Sequence, residues 1–173
     1  MDCLGLGFRG VLFLICDSSF PAHLAVVAYL PRIDPKYQLV FTMTAGRVDD
    51  RQMLDHEQAM KSHHAFDHNY NQLADATRIE DNQVTAAGLK TCSGMAPFNL
   101  TSKRVVVSAR SLEFGMSRVY QAYASMKNHD VMVFPDFDPA FEYLKLMDTK
   151  SELFEILFEM AKAICFVEDY RVD

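Results

Sequence analysis

Five side chains able to bind a metal or move a proton crowd one short stretch, DHEQAMKSHHAFDH: His56, His63, His64, Asp67 and His68. Imidazole nitrogens and carboxylate oxygens together suit a divalent cation, and a helix through residue 64 would project His56 and His63 from one face, with His64, Asp67 and His68 at its end. The stretch is not H-E-x-x-H, and its carboxylate keeps no fixed offset from the histidines. The same residues also suit a structural role, with His63 or His64 complementing a helix C-terminus and His56 a partly buried polar group with a partner. A second group surrounds the break SARSLEF: Arg110 and Ser111 at a strand-to-helix turn, Arg118 two turns on, and Asp81, Asn82 and Thr85 in what would be the neighbouring loop. Helix N-termini at strand ends offer unpaired N–H groups, so a small anion fits there. Alternatively Ser111 caps its helix and the arginines pair with Glu113 or Asp75.

Other chemistries lack their motifs. Cys92, in KTCSGM, has no histidine near it in sequence, and there is no G-x-S-x-G, G-x-G-x-x-G or G-x-x-x-x-G-K. No cofactor is expected.

The elements that must position these residues follow from periodicity. AHLAVVAYL (22–30) and YQLVFTMTAG (37–46) read as a β-hairpin around the turn-forming PRIDPK. Asp49 or Asp50 caps a helix with Met53 and Met60 on its apolar stripe, ending near His64. NQLADATRI reads as a strand, followed by a helix capped by Asp81 or Asn82 and closed by Gly94 and Pro97. KRVVVSA is a short buried strand. Ser111 then caps a helix with Leu112, Met116, Val119, Tyr123 and Met126 as its stripe. DVMVF is a further strand, and Asp138 caps a helix with Pro139 in its first position. Phe134, Phe137, Phe141 and Tyr143 read as core and turn packing. The last helix, KSELFEILFEMAKAICF, carries two interleaved stripes, Leu153, Leu157, Met160, Ile164 and Phe154, Phe158, Ala161, Cys165. So wide an apolar face needs cover, from the domain body or from a second copy in a homodimer.

Alternating strands and helices imply crossovers that make neighbouring strands parallel. The fold class is therefore α/β: a mixed sheet of four to five strands, an N-terminal β-hairpin and then parallel strands, with packed helices and an extra C-terminal helix. The chain of 173 residues divides into an N-terminal extension (1–21), a core domain (22–146) and a C-terminal helical extension (147–173). Half of its residues are apolar and 23% charged, a globular composition, and the net charge of −6 argues against nucleic acid as a partner. Four scattered cysteines, Cys3, Cys16, Cys92 and Cys165, give neither a disulfide framework nor a zinc pattern, which fits a cytoplasmic location. The apolar run 11–16 is too short to cross a membrane, and no membrane partner is expected.

With that element order in hand, the chain resembles the STAS and SpoIIAA-like domains, bacterial proteins of the anti-sigma-factor-antagonist fold. The likeness lies in YQLVFTMTAGRVDDRQM, NQLADATRIEDNQVTAAGL, RVVVSARSLEFGMSRVYQAY and HDVMVFPDFDPAFEYL, and covers roughly residues 22–146. The chain is also similar to small uncharacterised bacterial proteins in which an FG-x-x-R helix precedes a V-x-VF strand. In the antagonists a D-S-S-G-L-like turn carries a serine phosphorylated by a partner kinase. The matching EDNQVTAAGL keeps Gly88 and Leu89 but has Ala86 and Ala87 in the serine slots, leaving Thr85 as the nearby acceptor. The resemblance implies a non-catalytic regulatory or protein-interaction module, working as a homodimer or with a protein partner. The alternative is a binding protein for a small ligand, a lipid or an anionic metabolite, at the strand-end crevice of Asp81, Asn82, Thr85, Arg110, Ser111 and Arg118. A metal-dependent enzyme on the histidine cluster is the third reading.

Overall fold

A computed structural model describes residues 29–169, with side chains through residue 164. Five strands, β1 (Tyr29–Asp34), β2 (Leu39–Val48), β3 (Asn71–Asn82), β4 (Lys103–Val107) and β5 (Asp130–Phe134), form one sheet in the order β1-β2-β3-β4-β5. β1 and β2 are antiparallel, and each later pair is parallel. Helices α1 (Asp50–Lys61), α2 (Ala86–Met95) and α3 (Ser111–Ser125) make the crossovers; α4 (Phe137–Leu144) and α5 (Lys150–Asp169) follow β5. The hairpin-then-parallel α/β sheet expected from periodicity is the one observed.

Period-2 alternation decides which residues each layer buries. On one face Leu39, Phe41, Met43, Leu73, Val105 and Val107 pack with Phe141, Leu153, Leu157 and Ile164 of α4 and α5. On the other, Val106 and Val131 meet α1, α2 and α3 through Met53, Leu89, Cys92, Tyr120 and Ala124. With both faces covered, β2 is buried along nearly its whole length, as central strands of such sheets generally are, while the edge strand β1 is half-exposed. The α5 stripe of Leu153, Leu157, Met160 and Ile164 is buried against the domain body, joined by Ile156 and Ala161, whereas Phe154 and Phe158 stay on the exposed side.

Several local expectations shift. PRIDPK is not the hairpin turn, because residues 31–34 continue β1 and the turn falls at 35–38, where Gln38 takes the left-handed conformation (φ 49°). β1 is an edge strand, which tolerates the donor-less Pro31. The remainder of the expected 22–30 strand, the 1–21 extension with Cys3 and Cys16, and the side chain of Cys165 lie outside the described residues. α1 opens with Asp49 and Gln52 in a reciprocal capping box, and it ends at Lys61 rather than His64. Thr85, and neither Asp81 nor Asn82, caps α2: those two still belong to β3. Arg110 occupies the N-cap position of α3 but its side chain makes no capping bond, and Ser111 is already helical. α3 buries Glu113, Tyr120 and Ala124 most deeply; Met116, Val119 and Tyr123 of the expected stripe pack half-buried beside them, and Leu112 and Met126 at its two ends are exposed. α4 starts after Asp136, which puts Asp138 and Pro139 inside its first turn.

Candidate functional site

A charged group inside a parallel sheet's helix layer demands a reason, since an unpaired buried ion costs several kcal/mol. Arg104, the second residue of β4, points into the α1–α3 layer and is 3% exposed. The stripe Met53, His56, Glu57, Met60 faces the same layer, and Glu57 is 5% exposed. Arg104 Nη2 lies 3.6 Å from Glu57 Oε1, and Arg104 Nε donates to Gln72 Oε1 at 2.8 Å. Gln72 Nε2 donates in turn to Thr42 Oγ1 (3.1 Å), which bonds His56 Nε2 (3.4 Å). The guanidinium also lies 4.6 Å from the centroid of Phe98 and 5.5 Å from that of Tyr120. The result is a buried polar chain across β2, β3 and β4, roofed by two aromatic rings.

Burial sets the protonation of this chain. It drives the Glu57 carboxyl above its ordinary range, against the pull of Arg104, and it pushes the Cys92 and Tyr120 groups up so that both stay neutral. Cys92 Sγ–H donates to Glu57 Oε1 at 3.7 Å. His56, stacked on Tyr29 with centroids 5.0 Å apart, is held down to about 4 by burial, with Arg104 adding to the effect. Glu57 Oε2 has no hydrogen-bond partner among the described residues.

Glu57 forms part of the wall of a cavity of about 410 Å³. Gln58 and Lys61 contribute from the last turn of α1, Gly94, Met95 and Ala96 from the end of α2, Pro97 and Phe98 from the loop into β4, and His68 from the loop into β3. The cavity thus opens at the amino ends of the parallel strands. A strongly perturbed carboxyl with a defined charge partner at a concave surface is the usual physical mark of a functional site.

At the opposite, carboxyl ends of the strands lies a second crevice of about 410 Å³, lined by Ala45, Thr77, Arg78, Ile79, Glu80, Arg110 and Ile164. Of the residues expected to form a strand-end site, Arg110 lines it, and it is held there: Nη1 donates to the Ile79 carbonyl, and Nε lies 3.6 Å from buried Glu113. The others are engaged elsewhere. Asp81 pairs with Arg47 at 3.6 Å and accepts from Gln83 Nε2 at 2.7 Å; Asn82 accepts from Val84 N–H at 3.1 Å; Arg118 donates to Gln121 Oε1 at 2.6 Å; Ser111 is exposed in the first turn of α3. Thr85 Oγ1 accepts from Gly88 N–H (3.0 Å) and donates to Asp50 Oδ2 (2.6 Å), and Asp50 Oδ1 takes the Thr85 N–H (2.7 Å). The α2 N-terminus is therefore already supplied with a carboxylate from α1.

The histidine stretch is dispersed. His56 belongs to the buried chain; His63 and His64 stack with centroids 4.7 Å apart beyond the end of α1; Asp67 accepts from the Asn69 backbone (2.8 Å) and side chain (3.0 Å); His68 Nδ1 donates to the Pro97 carbonyl. Partial burial and the neighbouring His64 hold His63 below its ordinary range. Among the described residues no three His, Cys, Asp or Glu side chains are placed to hold a metal ion. Of the four histidines in the stretch, His68 lines the cavity beside Glu57.

Glu57, Gln72, Cys92, Phe98 and Arg104 did not stand out in the sequence as a group. A signal was nonetheless there: residue 57 falls on the Met53–Met60 stripe, and residue 104 falls inside a strand expected to be buried. An ionisable residue at each of two core positions, of opposite sign, is the pattern of a buried pair.

Neither the protein-family models nor the curated proteins yield a match to this chain. Among solved structures, the chain is similar to an uncharacterised protein of the DUF3478 family with a SpoIIAA-like fold from Shewanella loihica PV-4, at 13% identity and a TM-score of 0.43, over 61% of this chain and 83% of that one. No helix among the described residues is long and apolar enough to cross a membrane.

Proposed function

We propose that this protein is a non-catalytic regulatory module that holds a small molecule in the cavity beside Glu57. One observation carries the reading: Glu57, a residue 5% exposed and paired with Arg104, forms part of the wall of an open cavity of about 410 Å³, a volume suited to a small ligand. Cys92 is held as a thiol and His56 as an imidazole, and Arg104 is tied to Glu57 and Gln72, which suits recognition better than nucleophilic or acid–base turnover. The cavity lies between the ends of α1 and α2, so its occupancy bears on how those two helices sit, and their outer surfaces are where a protein partner would read it.

The test compares the wild type with Ala96→Phe, which places a ring at the mouth and leaves Glu57 and Arg104 untouched. In a thermal-shift screen of a broad small-molecule library, some compounds should raise the melting temperature of the wild type and leave that of the variant unmoved. Freshly purified wild type in native mass spectrometry should carry or accept the same compounds at one per chain. A screen in which every compound acts alike on both proteins refutes the reading. A homodimer remains a second reading, favoured by Phe158, which is 57% exposed on the outer side of α5; a sedimentation mass of one chain at high protein concentration removes it.

A further inference from the structure

We infer that the outer face of α5, built on Phe154 and Phe158, is a docking surface for a segment of this same chain, the apolar run VLFLIC at positions 11–16 with Arg9 ahead of it and Asp17 behind it. The inference goes beyond the cavity reading and does not depend on it.

The face is apolar at its centre and charged along its rim. Phe154 and Phe158 lie one turn apart and are 37% and 57% exposed, although Phe154 packs edge-on against Phe137 and Phe141 with centroids 5.6 and 5.2 Å away. Single apolar residues on a surface are ordinary, whereas neighbouring rings on one helix face mark a place where something docks. Glu155 is exposed and makes no ion pair among the described residues, while Lys162 pairs with Glu159 at 2.9 Å and holds its ammonium 4.2 Å from the Phe158 centroid. Along α5 the unpaired carboxylate therefore comes first and the cation last.

The topology delivers one stretch of chain to this face. α5 starts beside the β1–β2 turn, where Glu152 accepts from Lys36 Nζ and Tyr37 Oη, and by Ile164 it has reached Ala45 towards the far end of β2. β1 runs the opposite way, so Tyr29 stands opposite Thr44, near that far end, and Leu30 packs against the same core cluster as α5. The chain that precedes β1 thus meets the sheet beside the later part of α5 and on its side. Residues 17–28 span up to about 40 Å, against about 30 Å for the whole of α5, so the run at 11–16 has the reach. Followed back from β1 along α5, Asp17 comes first, at Lys162, and Arg9 last, at Glu155. Arg9 is the only Lys or Arg in residues 1–28, and Glu155 is the carboxylate left unpaired, so charge and chain direction agree. A second copy of the chain could cover the same rings, but a tethered segment acts at an effective concentration of order millimolar, far above that of a second copy in dilute solution. The docked segment keeps the face occupied within one chain, and its release bares the two rings.

Cys16, the last residue of the run, serves as the reporter, and the buried Cys92 does not compete with it. In the full chain carrying Glu159→Cys, under an added mild oxidant, Cys16 should join the introduced thiol within one chain, as read by mass spectrometry of the non-reduced digest. Lys90→Cys, exposed on α2 across the sheet, should give no such link. Both replaced side chains are exposed, so neither variant disturbs the core. Arg9→Glu added to Glu159→Cys should lower the yield of the link about twofold or more, and Glu155→Arg in the same chain should restore it. A link that forms only between two chains assigns the face to a second copy and overturns the inference. Equal linking at positions 159 and 90, or none at either, overturns it as well. A yield that Arg9→Glu leaves unchanged overturns the charge-ordered docking.

Discussion

Replacing Arg104 by Met, Glu57 by Leu, and both together tests whether the buried chain beside the cavity is one energetic unit. Each charge is at least 95% buried, and they are 3.6 Å apart. Removing one partner strands the other as a buried ion, which costs about 3–5 kcal/mol. Arg104→Met also orphans Gln72 Oε1 and loses the contact with the Phe98 ring, adding about 1–3 kcal/mol. Replacing both charges by apolar side chains of similar bulk removes the stranded ion, so the double variant should lie within about 2 kcal/mol of the wild type. The singles should sum to far more than the double, a coupling of several kcal/mol. Urea unfolding followed by circular dichroism, with unchanged m-values as the check on two-state behaviour, measures all four corners. The deficit of Arg104→Met carries a pH signature as well. The folded carboxyl of Glu57 titrates above its unfolded value, so the associated stability is complete below the unfolded pKa and is lost as pH rises through the folded one. That deficit must therefore shrink as the solution is acidified. Single variants that each cost less than about 1 kcal/mol, or a double variant equal to the sum of the singles, would show that the two groups do not act as a pair.

Two more predictions concern single residues. His56 is held neutral in the fold at about 4 against an ordinary 6.5; the folded value is depressed, so its stabilising share is complete above pH 6.5 and is lost as pH falls towards 4. The loss amounts to about 3 kcal/mol, and the difference in unfolding free energy between wild type and His56→Gln at pH 7 and pH 4 should contain it; a difference independent of pH contradicts the assignment. Gly88→Ala improves helix propensity by about 1 kcal/mol, yet its Cβ would collide with the Asp50 carboxylate and break the bonds to Thr85. It should destabilise the wild type by about 1–2 kcal/mol and stabilise an Asp50→Ala background, a reversal of sign readable from urea midpoints.

The layers of this fold were legible because they are written in short-range periodicity. The runs YQLVFTMT and KRVVV alternate or stay apolar over one strand length, α1, α3 and α5 show apolar stripes, and α2 and α4 show capping, Gly and Pro signals. Boundaries shifted at the start of α2: Asp81 and Asn82 end β3 and bond Gln83 and the Val84 N–H, which leaves Thr85 to begin the helix. The site was not legible, because its members come from five separate segments and meet only through the sheet order: Gln72 and Arg104 are register partners across β3 and β4, while Glu57 arrives from the helix between β2 and β3.

The end of the sheet at which the site falls has a physical cause. Helix N-termini at the carboxyl ends of strands are the usual place to look, since they hold unsatisfied N–H groups. Here α1 is closed by Asp49 and Gln52, α2 by Thr85 and the Asp50 carboxylate, and the arginine at the start of α3 is spent on the Ile79 carbonyl and Glu113. The attraction of that end for an anion is met by the chain's own groups. At the amino ends, by contrast, a buried carboxylate oxygen is left without a donor beside two helix C-termini. That is the end at which the cavity of the proposed function lies.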